Sequence, residues 1–327
     1  MPKVLITTVP FGDKNRLPLK LLKENGFQYT VNPLNRKLTE DELSEMIADF
    51  DIIIAGTEPI TKKVMDSATN LKMISRVGIG LDSVDLIEAE KQGILVSYTP
   101  DAPAPAVAEL TIGLMLTLLR LIQLSNIEMH GGKWNRFFGR RLSEVTIGII
   151  GVGRIGKGVI KHLEGVGSPK ILANDINYQN KLHKDLDVEW VDKNKIYKEA
   201  DIVTIHTPLT VQTKNMIRSK ELLKMKKDAI IINTARGGII NETDLYQVLK
   251  DGRLSGAAID VFDFEPYKGK LCDIQRCVLT AHMGSMSVDC RTKMEIEATE
   301  EVVRFLTNQP LTGSVPDEEF MAQREGL

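Results

Sequence analysis

Cysteine is scarce in this chain: Cys272, Cys277 and Cys290 are the three present, at uneven spacing. That excludes a disulfide framework and a zinc knuckle, and it fits a reducing compartment, the cytoplasm. No metal site is expected. An excess of either charge is missing too. Lys+Arg 42 against Asp+Glu 44 leaves a formal net charge of −2, so nothing electrostatic favours nucleic acid or an anionic membrane, and a small-molecule partner is expected. A long uncharged apolar run is also lacking. The longest such stretch, Ala106 to Leu124, carries Glu109 and Arg120 and reads as a buried helix rather than a membrane span. Met1-Pro2-Lys3-Val4-Leu5-Ile6 leads straight into a strand-like run without a signal peptide's small-residue cleavage site. Repeats of solenoid period and low-complexity tracts are absent.

What is present is ordinary globular composition, 43% hydrophobic and 26% charged, in 327 residues. That length exceeds what one hydrophobic core serves, so two domains are expected. Short β-like runs at Val4–Thr7, Gln28–Val31, Asp51–Ala55, Lys72–Val77 and Ile94–Ser97 alternate with helical patterns at Leu17–Asn25, Glu40–Asp49, Lys62–Ser67 and Val84–Lys91. Such alternation predicts a parallel sheet. Pro100, Pro103 and Pro105 then mark a crossing between domains, and a long helix from Ala106 opens the next unit. A second series comes at Val145–Ile150, Ile171–Asn174, Ile202–Ile205, Ala229–Ile232, Ala257–Val261 and Val278–Thr280. The fold class is therefore α/β, with two doubly wound parallel-sheet domains. A flavodoxin-like substrate domain takes residues 1–100 and 286–327, including a returning helix over Arg291–Leu306, and a Rossmann NAD-binding domain takes 101–285. The cleft is expected between them.

The glycines of Gly151-Val152-Gly153-Arg154-Ile155-Gly156 fall between a strand pattern and a helix pattern. Gly151 permits the tight turn, Gly153 lets a pyrophosphate approach the backbone, and Gly156 lets the helix pack closely. Nineteen residues beyond Gly156, Asp175 ends the next strand pattern, placed to accept hydrogen bonds from ribose hydroxyls and to repel a 2′-phosphate. The expected cofactor is NAD. Arg154 and Ile155 would add backbone amides, and Thr207-Pro208 would border the adenosine, with ordinary loop geometry as the alternative for the latter pair.

Arg236, Glu265 and His282 each come just after a strand of the second series, at the end where open α/β sheets bind ligands. Taken singly, each has a structural alternative: a charge at a sheet edge, a solvated turn before Pro266, a core histidine bonded to backbone. Three together on a dinucleotide fold point to a site. Asp260 on its own reads as a helix or turn cap. Val77-Gly78-Ile79 divides between a plain turn and backbone donors for a substrate carboxylate.

Several motifs carry a resemblance: Arg76 to Asp85, Val107-Ala108-Glu109-Leu110, Gly151 to Gly156, His206-Thr207-Pro208-Leu209-Thr210, Asn233 to Gly238, Gly256 to Phe262, and Thr280-Ala281-His282-Met283-Gly284. With these, across about residues 70 to 290, the chain resembles the D-isomer-specific 2-hydroxyacid dehydrogenases, most closely the D-3-phosphoglycerate dehydrogenases. The resemblance implies that Arg236 grips the substrate carboxylate, that His282 protonates the carbonyl oxygen, and that Glu265 orients the imidazole. It implies Thr234, Ala235, Asp260 and Gly284 as further cofactor contacts, Asp260 near the nicotinamide, and a homodimer through the inserted domain; Arg76 could reach a substrate phosphate. Lys133 to Arg136 resembles the segment from which such enzymes extend a cation to a neighbour, and Arg136, Arg140 and Arg141 as a solvated basic face is the alternative. Pro103 stands where many members have asparagine. The implied substrate is 3-phosphoglycerate or a related anionic 2-hydroxy acid. Glyoxylate/hydroxypyruvate reduction is the other enzymatic possibility, and an NAD-sensing scaffold the non-enzymatic one. The end at Leu327 leads one to expect no C-terminal regulatory module.

Overall fold

A computed structural model describes residues 1–178 and 185–326. The chain divides into two compact units, Met1–Pro103 with Met286–Leu327, and Ala104–Ser285.

In unit 1, β1 (Lys3–Ile6), α1 (Leu17–Glu24), β2 (Gln28–Val31), α2 (Glu40–Met46), β3 (Ile52–Ala55), α3 (Lys62–Ser67), β4 (Met73–Arg76), α4 (Leu86–Lys91) and β5 (Leu95–Tyr98) alternate along the chain. The strands pair in parallel in the order β2-β1-β3-β4-β5, with Ala55 opposite Arg76. β3 reads Ile-Ile-Ile-Ala and every residue is buried, as a central parallel strand covered on both faces requires. Thr39 starts α2 with a capping box, its side chain accepting from Glu42 N while Glu42 accepts from Thr39 N. The later α11 (Val288–Leu306) belongs to this unit and lies along α1, β3 and β4. The last helix, α12 (Asp317–Arg324), buries no residue and has no apolar stripe to announce it.

Unit 2 opens with α5 (Ala104–Leu119) and α6 (Ile122–His130). After them come β6 (Thr146–Ile150), α7 (Arg154–Gly165), β7 (Lys170–Asn174), β8 (Glu189–Trp190), α8 (Lys193–Glu199), β9 (Ile202–Ile205), α9 (Ser219–Leu222), β10 (Ile230–Asn233), α10 (Glu242–Lys250), β11 (Gly256–Ile259) and β12 (Cys277–Leu279). Their order is β12-β11-β10-β9-β6-β7-β8, all parallel. This is the Rossmann order, reversing between β6 and β9, with a seventh strand at the edge. Two apolar cores fill the two faces of the sheet.

Each strand expected from the sequence is present, with ends displaced by at most two residues. β8 was not expected, because two half-buried residues carry no periodicity. The long helix expected from Ala106 is two helices. Leu121 adopts a left-handed conformation, φ 55°, where Arg140 N takes the Leu119 carbonyl at 3.0 Å and a Cβ on Gly139 would collide with it. No single helix among the described residues is long and apolar enough to cross a membrane, and α5 and α6 bend by 63° between them.

Gly156 shows why unit 2 tolerates so little change at the start of α7. A Cβ there would overlap the carbonyl of Gly151, a backbone atom that cannot rotate away, whereas a Cβ on Gly165 at the far end meets nothing. Gly156→Ala should cost about 2 kcal/mol by overpacking, and Gly165→Ala should be neutral or stabilising by up to about 1 kcal/mol. Urea unfolding monitored by circular dichroism measures both, and equal effects would contradict this reading.

Candidate active site

The turn after β6 is built to bring backbone close to a ligand. Gly151 sits at φ +93°, and a Cβ on it would lie 2.5 Å from the His206 carbonyl oxygen. Gly153, which caps α7, has open space where a Cβ would be. The first turn of α7, including Arg154 and Ile155, points its amides back at this turn, since first-turn amides find no carbonyl within their own helix. Asp175 comes just after β7, with Oδ2 accepting from Val152 N and Oδ1 from Asn177 N, both at 2.7 Å. A carboxylate has about four acceptor positions, so it can still take ribose hydroxyls.

On the other side of the turn, burial pushes the His206 imidazole down to about 3, which keeps it neutral. His206 Nδ1 and Thr207 Oγ1 are buried without a partner among the described residues. Pro208 is exposed, and its carbonyl accepts from Thr213 Oγ1 at 2.7 Å. An open glycine, a helix N-terminus, an acid at the second strand and unmet polar atoms together fit a dinucleotide.

The second cluster lies at the ends of β10, β11 and β12. Asn233 closes β10 and shapes the loop after it: Oδ1 accepts from Ala235 N at 3.0 Å, and Nδ2 donates to Arg236 O at 2.8 Å. Arg236 emerges half-buried, with Nη1 donating to Ala235 O at 2.7 Å. Thr234 and Ala235 are buried, and Thr234 Oγ1 lies 3.0 Å from Thr111 Oγ1 on α5. A Cβ on Gly237 would strike the backbone of Phe262, so the loops after β10 and β11 are in direct backbone contact. Glu265 accepts from Phe262 N at 3.1 Å and faces His282, whose Nδ1 lies 2.9 Å from Oε2 and 3.1 Å from Oε1. Beside them, burial raises the Glu242 carboxyl above its usual range, opposed by the hydrogen bond it accepts from Asp263 N and helped by the nearby charges of Asp263 and Glu265.

Asp260 is 1% exposed and holds the loop that carries the histidine. Its carboxylate accepts from Thr280 Oγ1 at 2.5 Å and from Met283 N and Gly284 N at 2.9 Å, while His282 N donates to its carbonyl at 2.8 Å. Asp260 and the Gly284 amide are thus engaged with each other. Sequence reasoning singled out both as cofactor contacts and missed this brace, and it gave no role to Asn233 or Thr111. Buried polar residues at strand ends are the signal that would have found them.

In unit 1 the sequence-derived candidates are placed differently from expectation. Arg76, at the end of β4, is 6% exposed. Its Nη1 donates to the Val77 carbonyl, and a Cβ on Gly78 would collide with the guanidinium. The side chain lies folded under its own loop. Val77 N donates to Ala55 O at 2.8 Å and Gly78 N to Thr99 Oγ1 at 2.7 Å, so those two amides serve the fold. Ile79 N has no acceptor among the described residues.

Among the described residues no group of His, Cys, Asp and Glu forms a metal site. Residues 112–284 match the model of the D-isomer specific 2-hydroxyacid dehydrogenase NAD-binding domain. A hydroxypyruvate reductase of Thermotoga maritima is 36% identical over 301 residues, 90% of this chain and 95% of that protein. A D-3-phosphoglycerate dehydrogenase of Methanocaldococcus jannaschii is 36% identical over 94% of this chain, which spans only 58% of that protein's length. A crystal structure of a Thermus thermophilus protein superposes with a TM-score of 0.87 at 31% identity, covering 96% of this chain and 100% of that one. Fold, dinucleotide turn and sequence agree: the chain belongs to the NAD-binding D-isomer-specific 2-hydroxyacid dehydrogenase family.

Proposed function

We propose that the chain reduces a short unphosphorylated 2-oxo acid, hydroxypyruvate or glyoxylate, to the D-2-hydroxy acid. NAD, bound in reduced form at the turn from Gly151 to Gly156, supplies the hydride. Arg236 binds the substrate carboxylate, for which its planar, permanently charged fork is suited. Glu265 takes His282 Nδ1 at 2.9 Å, which orients the ring and leaves Nε2 to give a proton to the carbonyl oxygen. Asp260 keeps His282 in place, and Ile79, whose amide has no acceptor among the described residues, is a candidate substrate contact.

Arg76 carries the choice of substrate. Its guanidinium is buried and committed to the Val77 carbonyl, and a cation spent on its own loop favours a substrate without a phosphate. Pro103, also buried, adds no hydrogen-bond donor.

The same reading includes a homodimer. α6 and the segment after it leave Ile122 52%, Trp134 75% and Phe138 99% exposed, an apolar surface that a second copy of this chain would cover. The three cysteines are free thiols, in keeping with a cytoplasmic enzyme.

NADH oxidation with hydroxypyruvate, glyoxylate, pyruvate and phosphohydroxypyruvate tests the substrate. Hydroxypyruvate or glyoxylate should give the highest kcat/KM. A maximum with phosphohydroxypyruvate would reverse the choice, and no turnover with any would leave the NAD-sensing scaffold. Sedimentation should give twice the 36.4 kDa chain mass, and a monomer would remove the dimer. His282→Ala should lower turnover by roughly a hundredfold while leaving NADH binding nearly intact. Glu265→Gln should lower kcat roughly tenfold while leaving NADH binding nearly intact, because the carboxylate that orients the imidazole is gone. An unchanged kcat would reduce Glu265 to a loop residue.

A further inference from the structure

The loop after β11 that presents Glu265 to His282 is fastened by a carboxyl to which proton and hydride transfer give no part. Glu242 stands in the first turn of α10 and is half-buried. An acid there ordinarily serves the helix dipole. Glu242 does more, because its Oε1 accepts from Asp263 N at 2.8 Å. It thereby joins the helix that follows the Arg236 loop to the loop that carries Glu265. The preceding amide, Phe262 N, goes to Glu265 Oε1 at 3.1 Å. Consecutive amides of one loop are thus taken by two carboxyls, one of which meets the histidine.

The helix end of this clip is firm. Asn241 caps α10 through Oδ1, which accepts from Asp244 N at 3.0 Å, while its Nδ2 donates to Asn215 Oδ1 at 3.0 Å. Asp244 accepts from Ser219 N at 2.9 Å, and Leu245, Val248 and Leu249 bury the helix on the core. At the loop end, a Cβ on Gly238 would lie 2.6 Å from Asp263 Oδ1, and Phe262 stacks on Tyr267 with ring centroids 4.2 Å apart. The tip between those rings is bare: Asp263 is exposed and Phe264 is 85% exposed. A segment with so little packing of its own opens readily unless a bond holds it, and the bond to Glu242 falls there.

We propose that Glu242 is a positioning residue for the reaction: by holding the Asp263 amide it fixes the place from which Glu265 meets His282 Nδ1, and with it the direction of the imidazole. This rests on the reductase reading and adds a second carboxyl behind Glu265. Glu242 acts through Glu265 and transfers no proton itself. Its loss therefore falls on kcat rather than on the KM for NADH, and it cannot exceed the loss of Glu265.

Steady-state kinetics with the preferred 2-oxo acid tests this in Glu242→Ala and Glu242→Gln, each made in the unaltered protein and on top of Glu265→Gln. Glu242→Ala should lower kcat by roughly three- to tenfold with the KM for NADH nearly unchanged. Glu242→Gln, whose carbonyl oxygen still accepts from Asp263 N, should recover most of that loss. On top of Glu265→Gln, Glu242→Ala should cost less than about twofold more, because residues that act through one contact are not additive. An unchanged kcat in Glu242→Ala, an equal loss in Glu242→Gln, or the same loss in both backgrounds would overturn the assignment. Should Glu242→Ala not fold, Glu242→Asp keeps the charge in the first turn but falls one methylene short of the amide. It should lose as much, and full kcat in Glu242→Asp would overturn the assignment. Absence of turnover with every 2-oxo acid would remove the reductase reading, and the positioning is then read from the NMR signal of the His282 Nδ1 proton. That signal should broaden in Glu242→Ala and persist in Glu242→Gln, and a signal that Glu242→Ala leaves unaltered would overturn the assignment by itself.

Discussion

The buried carboxylate of Asp260 is the constraint on which the site in unit 2 depends. Three donors converge on it from Thr280, Met283 and Gly284, and they fix the loop in which His282 takes a left-handed backbone conformation, φ 48°. A non-glycine residue keeps such a conformation only where its surroundings enforce it. His282 held this way meets Glu265, which is itself anchored to Phe262 N, while the loop carrying Arg236 packs against Phe262 through Gly237. Three strand ends thus interlock through backbone, and His282, Glu265 and Arg236 share one rigid frame. Preorganisation of this kind lets polar side chains act on a substrate without rearranging first.

Much of this was legible in the sequence, for identifiable reasons. Glycines at a strand-to-helix turn are conspicuous because no other residue tolerates φ +93° at Gly151 or the close approach at Gly156. Strands buried on both faces, such as Ile230-Ile231-Ile232, stand out as apolar runs, and a charged residue just past one is readily noticed. What stayed hidden has no periodic signature. The break at Leu121 is set by a segment returning at Arg140, far along the chain. The inward fold of Arg76 onto the Val77 carbonyl, against the bare backbone of Gly78, is a rotamer set by its surroundings, which a basic residue at a strand end does not announce. Asp260 was visible as a residue, but its work is a set of tertiary hydrogen bonds that no local pattern encodes.

The two units divide their charges differently. In unit 2 the charged side chains of the site are half-exposed and available to a ligand: His282 keeps 34% and Glu265 22% of the side-chain surface open. In unit 1 the charges at the sheet edge are nearly all buried and paired, with Arg291 at 11% and Glu295 at 4%. Buried pairs of this sort contribute little net stability, but they make a site selective, because a ligand of the wrong charge cannot be screened by water.

The stereochemistry of the product tests the account most directly. Hydroxypyruvate reduced with NADH by the purified protein, resolved by chiral chromatography, should yield D-glycerate alone, a single hand because Arg236, Glu265 and His282 share one rigid frame, and the D hand because the family is D-isomer-specific. A racemic mixture would contradict the single rigid frame, and L-glycerate would contradict the D-specific reduction.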